Sequence, residues 1–146
     1  MAKRRDLLAW AGLAPLGVPA LMNAVAGSAP AAGMKLTNVT LGASQAKLQK
    51  HPFGDLAVYF SGPTDQLKFM EAGSLRLRAG MEPHPPHSHP EEEFLLVTEG
   101  TGVIMVDGKT TPVGPGAMMY CAANKSHHIR NTGKSPLLFY YYKWQA

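Results

Sequence analysis

A single cysteine, Cys121, leaves this chain without a partner for an intramolecular disulfide, so any core must hold together without that cross-link. Charge is sparse as well. Lys and Arg number 14 and Asp and Glu 10, and no like-charged block is long enough to read as a disordered tail. No stripe alternates basic residues with aromatics, which argues against nucleic acid as a partner. Half of the formal +4 comes from Lys3, Arg4, Arg5 and Asp6, so the rest of the chain has only a slightly positive surface. Beyond the N-terminal segment there is no stretch of useful length with helical period.

Turn formers are abundant. Fifteen Gly and twelve Pro among 146 residues exceed the usual shares of roughly 7% and 5%, and they are spread along the chain. Many short strands joined by tight turns produce that composition, and the length favours one domain. Strands are expected over residues 56–61, 67–71, 74–79, 93–98, 102–106, 117–121, 127–131 and 137–143. Leu75 and Leu77 alternate with Arg76 and Arg78, a period of two with one wet face. Asp107-Gly108 is a favoured two-residue hairpin turn, and residues 112–116 read as another tight turn. Residues 44–50 read as a short helical turn or a loop. The fold class is therefore all-β, a sandwich or barrel.

The first 31 residues read as a signal segment outside that fold. Lys3-Arg4-Arg5 precedes a weakly polar stretch rich in Ala, Leu, Gly and Pro. Ala24-Val25-Ala26 and Ala29-Pro30-Ala31 both offer small-x-small cleavage sites, so the cut falls after 26 or 31. Arg4-Arg5-x-Leu7-Leu8 resembles the twin-arginine signal, which exports proteins already folded. A membrane anchor is the weaker reading, because Gly12, Pro15, Gly17, Pro19 and Asn23 interrupt the roughly 20 apolar residues a span needs. The expected division is 1–31 signal peptide and 32–146 folded domain, periplasmic or secreted, meeting the membrane only during export.

Five of the six histidines lie in two places: His84, His87 and His89, then His127 and His128. On an extended segment His87 and His89 project from one face, and Glu93 shares their parity at the start of a strong strand. Two neutral imidazoles and a carboxylate suit a first-row divalent ion, and a histidine from a distant strand would complete the set.

Two segments resemble the cupin superfamily. Gly80-x6-His87-x-His89-x3-Glu93-x6-Gly100 resembles its first motif, and Gly116-x5-Ala122-x-Asn124-x2-His127-x3-Asn131 its second. The first glycine stands one residue further from His87 than the pattern asks, Ala122 replaces a proline, and Asn124 replaces a turn glycine. Asn is the next best residue for a left-handed turn. The resemblance covers about residues 73–143. It implies a single cupin barrel (a double-stranded β-helix or jelly roll) and one divalent ion, iron, manganese, nickel or zinc, held by His87, His89, Glu93 and His127. Such a set leaves coordination positions open, the mark of a substrate-binding rather than a closed structural site. It also implies a proton-moving role for Glu93, and pairing into a homodimer to which the apolar strand 137–142 contributes.

The leading expectation is an exported metal-dependent enzyme of dioxygenase, isomerase or decarboxylase type. Its substrate would be a small oxygen-rich or aromatic molecule that chelates the ion. Two rivals stand beside it. One is a non-catalytic module binding a sugar, an organic acid or the metal, marked by the lack of a second polar group near the ion. The other is a His-rich surface chelator in which the second histidine pair is dispensable. Other residues have plainer roles. His84 should be exposed near the barrel mouth and His128, of opposite parity to His127, should point away from the ion. Glu91 and Glu92 should be solvated, Asn131 should hold a strand end, and Cys121 should be a packed strand residue rather than a reactive thiol. Tyr59, His84, Tyr120 and the tyrosines at 140–142 are candidates for a further polar group facing the ion.

Overall fold

Alternation of side chains across the pleat decides almost everything about how this chain closes on itself. The computed structural model describes residues 33–146. The proposed signal segment, 1–31, and both its cleavage points lie outside them. After a 3₁₀ turn at Ala43–Gln45 come nine strands: β1 (Lys47–His51), β2 (Gly54–Gly62), β3 (Phe69–Leu77), β4 (Glu92–Glu99), β5 (Gly102–Val106), β6 (Lys109–Val113), β7 (Met118–Cys121), β8 (His127–Asn131) and β9 (Leu137–Gln145). They form two antiparallel sheets, one of six strands in the order β1-β2-β3-β9-β4-β7 and one of three in the order β6-β5-β8. This is the all-β jelly-roll architecture expected from the sequence, and the described residues contain no α-helix.

The strand expectations differ from the structure in three places. The separate runs 67–71 and 74–79 are one strand, β3, because Gly73 does not break it. A Cβ at Gly73 would lie 2.6 Å from the Tyr141 hydroxyl and 2.7 Å from the ring carbon bearing it. Glycine is there to let the Tyr141 side chain cross the strand, not to end it. Residues 47–50, expected within a helical turn or loop, belong to β1, whose exposed edge position relaxes the need for a clear hydrophobic pattern. Pro112 lies in β6 rather than in a turn. That strand sits at the edge of the small sheet, where a missing N–H costs no ladder bond. The Asp107-Gly108 hairpin joining β5 to β6 has the expected geometry, with φ of 50° and 81°.

Cross-strand register sorts the inner face of the large sheet into rows. One row runs Leu56, Leu75, Phe139, Val97, and the next Gly73, Tyr141, Leu95, Met119. Leu77 and Leu137 pair below them and are fully buried. Ile104 of β5 and Ile129 of β8 complete the core from the opposite sheet. Burying each such side chain contributes about 1.5–3 kcal/mol. The row at the other end is different in kind: Ser61, Glu71, Lys143, Glu93, Cys121. The same five strands thus carry an apolar floor and a polar mouth.

Asn131 anchors the floor's far corner. It is completely buried at the end of β8, with its amide nitrogen 2.9–3.1 Å from the carbonyls of Leu77, Arg78 and Ser135. Its oxygen accepts the Gly133 N–H at 2.9 Å. This is the strand-end role expected of it.

Candidate metal centre

The segment before β4 and the start of β8 are drawn together by backbone bonds. His87 and His127 form an isolated antiparallel bridge, His87 N–H donating to the His127 carbonyl at 3.2 Å and His127 N–H to the His87 carbonyl at 2.9 Å. Two residues further along, Asn124 N–H donates to the His89 carbonyl at 2.8 Å. Asn124 has φ of 62°, so the asparagine that stands for the motif's glycine makes the left-handed turn itself. The bridge fixes where the two histidine groups meet. Ligand nitrogens of His87, His89 and His127 lie within 4.8 Å of one another.

Glu93 enters from β4 beside them. Its Oε2 lies 3.0 Å from His89 Nε2 and 3.1 Å from His127 Nε2. On their other nitrogens both rings face acceptors. His127 Nδ1 is 3.0 Å from the Lys125 carbonyl, and His89 Nδ1 is 3.1 Å from the Glu91 carbonyl and 3.2 Å from the Glu91 carboxylate. A carbonyl can only accept, so Nδ1 carries the proton in each and Nε2 is left to meet a cation or a second proton. Glu91, expected to be merely solvated, therefore braces His89. The loop folds back far enough to bring both its carbonyl and its side chain to the ring.

The electrostatics follow from this packing. The hydrogen bond to Glu93 raises the His127 pKa above its ordinary value against the opposing effect of burial, with help from the Lys125 carbonyl and the Glu93 charge. Burial by itself would raise Glu93, but the hydrogen bonds and charges of His127 and His89 outweigh it and hold the carboxyl below the ordinary value. His87 moves the other way. Burial first, then the neighbouring rings of His84, His127 and His89, lower it to about 4, so its imidazole is neutral at ordinary pH. Its Nδ1 is buried without a hydrogen-bond partner. Three imidazoles that present nitrogens to one point beside an ionised carboxylate suit a divalent ion, whose charge would replace the protons that otherwise occupy the cluster.

A cavity of about 230 Å³ opens over this cluster. Its floor is apolar, with Leu75, Leu95, Met119, Ile129 and Phe139. Its wall also carries a second polar group, Glu71, Tyr141 and Lys143, of which Lys143 stands across the ladder from Glu93. Tyr141 OH donates to Glu71 Oε1 at 3.2 Å, the Lys143 ammonium lies 3.2 Å from the same oxygen, and Ser61 Oγ donates to Glu71 Oε2 at 3.2 Å. Burial first, then the Glu71 charge and hydrogen bond, push the Tyr141 phenol far up, so it is a protonated donor at any working pH. Of the tyrosines flagged from the sequence, Tyr141 is the one that lines this cavity. Tyr120 is exposed on the opposite face and donates to Glu92 at 2.8 Å, and Tyr142 is exposed.

Sequence reasoning missed Glu71 and Lys143. The available signal was Lys143 itself, two residues beyond Tyr141 and hence on the same inward face of a strand otherwise apolar there. His84 is exposed at the mouth, edge-on to His87 with ring centroids 3.8 Å apart. His128 is outside the three-imidazole cluster, as its parity requires, yet it borders the cavity and pairs with Glu82 at 2.9 Å. Cys121 is a buried strand residue with its sulfur 3.4 Å from His127 Nδ1, and burial raises its thiol pKa, which suits packing rather than reactivity.

Comparison with known proteins is consistent with this geometry. Residues 74–142 match the family model described as Cupin domain. Among solved structures, an RmlC-like cupin from Shewanella frigidimarina superposes with a TM-score of 0.65 at 14% identity, covering 77% of this chain and 96% of that one. KdgF from a Halomonas species gives 0.62 at 14% identity over 75% and 96% of the two chains. A predicted oxalate decarboxylase from Thermotoga maritima gives 0.60 at 18% identity over 74% and 100%. No curated protein matched by sequence. The family match covers a little under half of the chain, and at such identities the structural likeness speaks for the fold alone.

Proposed function

We propose, from a chain with the cupin fold and a cupin-domain match over residues 74–142, that it is a metal-dependent enzyme acting on a small oxygen-rich or aromatic molecule. His87, His89, Glu93 and His127 are the proposed ligands of one divalent ion. The observation that carries this reading is the meeting of three imidazoles, from segments far apart in sequence, beside a carboxylate that faces a cavity with a second polar group. Such a second group is what a bare metal-binding module would lack.

A divalent ion at this point supplies Lewis acidity and, if it is iron, manganese or nickel, a means of engaging oxygen. The chain's own residues do the rest. The apolar floor of Leu75, Leu95, Met119, Ile129 and Phe139 shields bound substrate from water and confines it to a molecule of modest size. Glu93 is the proposed proton carrier, at Oε2, because its carboxylate stays ionised and touches two imidazoles. Tyr141 stays protonated and its oxygen can accept from a substrate hydroxyl while it donates to Glu71.

Elemental analysis of protein purified through its native export route tests the reading. One equivalent of iron, manganese, nickel or zinc is expected, with substrate screening then separating decarboxylation, isomerisation and oxygenation. Zinc alone would count heavily against oxygen chemistry. Metal bound with no turnover of any small acid, sugar or phenol would move the protein to the binding-module reading. Metal affinity unaffected by His127→Ala would leave only a surface chelator.

Export to the periplasm or beyond, by the twin-arginine-like signal, belongs to the same proposal. N-terminal sequencing of the exported form should begin at residue 27 or 32. A homodimer is proposed as well. On the outer face of the large sheet Phe60, Tyr142, Phe94 and Tyr120 fall in one cross-strand row, with Met118 beside it, and Met118, Tyr120 and Tyr142 are exposed. Sedimentation of the full chain decides it, a monomer at micromolar concentration being the contrary result.

A further inference from the structure

We infer that Lys143, braced by Glu71, is the specificity-determining residue of the cavity and takes the carboxylate of a small monoanionic ligand whose other oxygens reach the histidine end. The inference builds on the proposed metal centre and names the substrate class it would serve: small hydroxy or keto monocarboxylates.

Lysine is an unusual choice for the inner face of a barrel strand, where ionised groups are desolvated. The two rows below it, Gly73-Tyr141-Leu95-Met119 and Leu56-Leu75-Phe139-Val97, show how the same strands are filled when packing alone is at stake. Lys143 stands across the ladder from Glu71 on one side and Glu93 on the other. Its ammonium goes to Glu71, at 3.2 Å, and forms no ion pair with Glu93, whose carboxylate is taken by His89 and His127. Glu71 in turn is held by Tyr141 and Ser61, each at 3.2 Å. The arrangement holds the ammonium away from the proposed metal ligand and at the cavity wall, where its side chain remains 29% exposed.

An ammonium has three N–H donors, and one is committed to Glu71. The others remain for a ligand. Charge selects which ligand. Glu71 and Lys143 cancel, and a divalent ion with Glu93 leaves one positive charge, so a monoanion neutralises the cavity and a neutral molecule does not.

Lactate and lactamide share a shape and a hydroxyl, and differ in that charge. Binding of each to the full-length protein loaded with manganese(II), measured by calorimetry, tests the inference. Wild type should prefer lactate by roughly tenfold or more, the scale of one charge-assisted hydrogen bond. Lys143→Gln should reduce that preference to about threefold or less, while Lys143→Arg keeps most of it. A preference unchanged in Lys143→Gln, or absent in wild type, overturns the inference. Titrating manganese alone into wild type and each variant, with thermal unfolding as the check on folding, separates the two layers. Wild type that binds none of manganese, iron, nickel and zinc in the same titration refutes the metal centre. Wild type that binds manganese but shows no dependence on Lys143 refutes the subsite and leaves the metal centre standing.

Discussion

The two ends of the large sheet are built from the same strands and do opposite work. At one end β3, β4 and β9 contribute Leu75, Leu77, Val97, Leu137 and Phe139, all buried, and stability is concentrated there. At the other end the same strands contribute Glu71, Glu93 and Lys143, each ionisable and part-exposed, and their value is chemical. Moving four residues along β9, from Phe139 to Lys143, crosses from one regime to the other without leaving the inner face. Parity therefore decides whether a residue faces the interior, and distance along the strand decides whether it meets packing or ligand.

The sharpest way to break that contrast is at the floor. Leu77→Ala or Leu137→Ala removes a fully buried side chain, and the unfolding free energy should fall by about 2–5 kcal/mol in urea titrations. One metal site per folded chain should persist. Loss of metal stoichiometry in the still-folded variant would show that the two ends are not separable.

At the mouth the effect should fall on ligand binding instead. His127→Ala should weaken manganese or zinc affinity by more than the roughly 10–100-fold that removing an outer partner of a metal ligand costs. Destabilisation of the metal-free protein should be smaller than for the floor leucines. Equilibrium dialysis and urea titration of the same variant read both.

The mouth should also respond to pH in a direction the floor does not. Metal displaces protons from imidazoles, and His127 is raised above its ordinary value while His87, at about 4, is already neutral. On lowering pH, His127 protonates well before His87, so its competition with metal deepens as pH falls through its raised pKa. Below that pKa the apparent affinity should drop by about tenfold per unit. His87 adds competition only near pH 4, and Glu93 stays ionised throughout most of this range because its pKa is lowered. An affinity flat between pH 8 and 5 would contradict this order.

The smallest effect concerns the turn that feeds β8. Asn124 holds φ of 62°, where a Cβ is strained and asparagine is tolerated. Asn124→Gly should change stability by no more than about 0.5 kcal/mol, and Asn124→Ala should cost about 1 kcal/mol, with metal affinity following only if the turn shifts His127.

Much of this architecture was legible in the residues. The pairs His87/His89 and His127/His128 sorted by parity into rings that meet and a ring that does not, and Asn124 substituted for glycine where a left-handed turn was needed. Gly73 was misleading because a glycine that breaks a strand and one that admits a tyrosine side chain look alike in sequence. Strand β1 was missed because an exposed edge strand such as Lys47–His51 carries little hydrophobic alternation. Glu91 was misjudged because its contact with His89 depends on how the loop turns back.

Residue order is enough to say which side chains face inward and which atoms are available to bind a cation, since both follow from a two-residue period and from residue chemistry. Tertiary structure alone decided which residues become neighbours across strands. Glu71 and Tyr141 are 70 positions apart and meet only because β3 pairs with β9 in one particular register. A shift of that register by one residue would turn Lys143 outward and dissolve the polar end, because register is a property of two strands and is written in neither one alone.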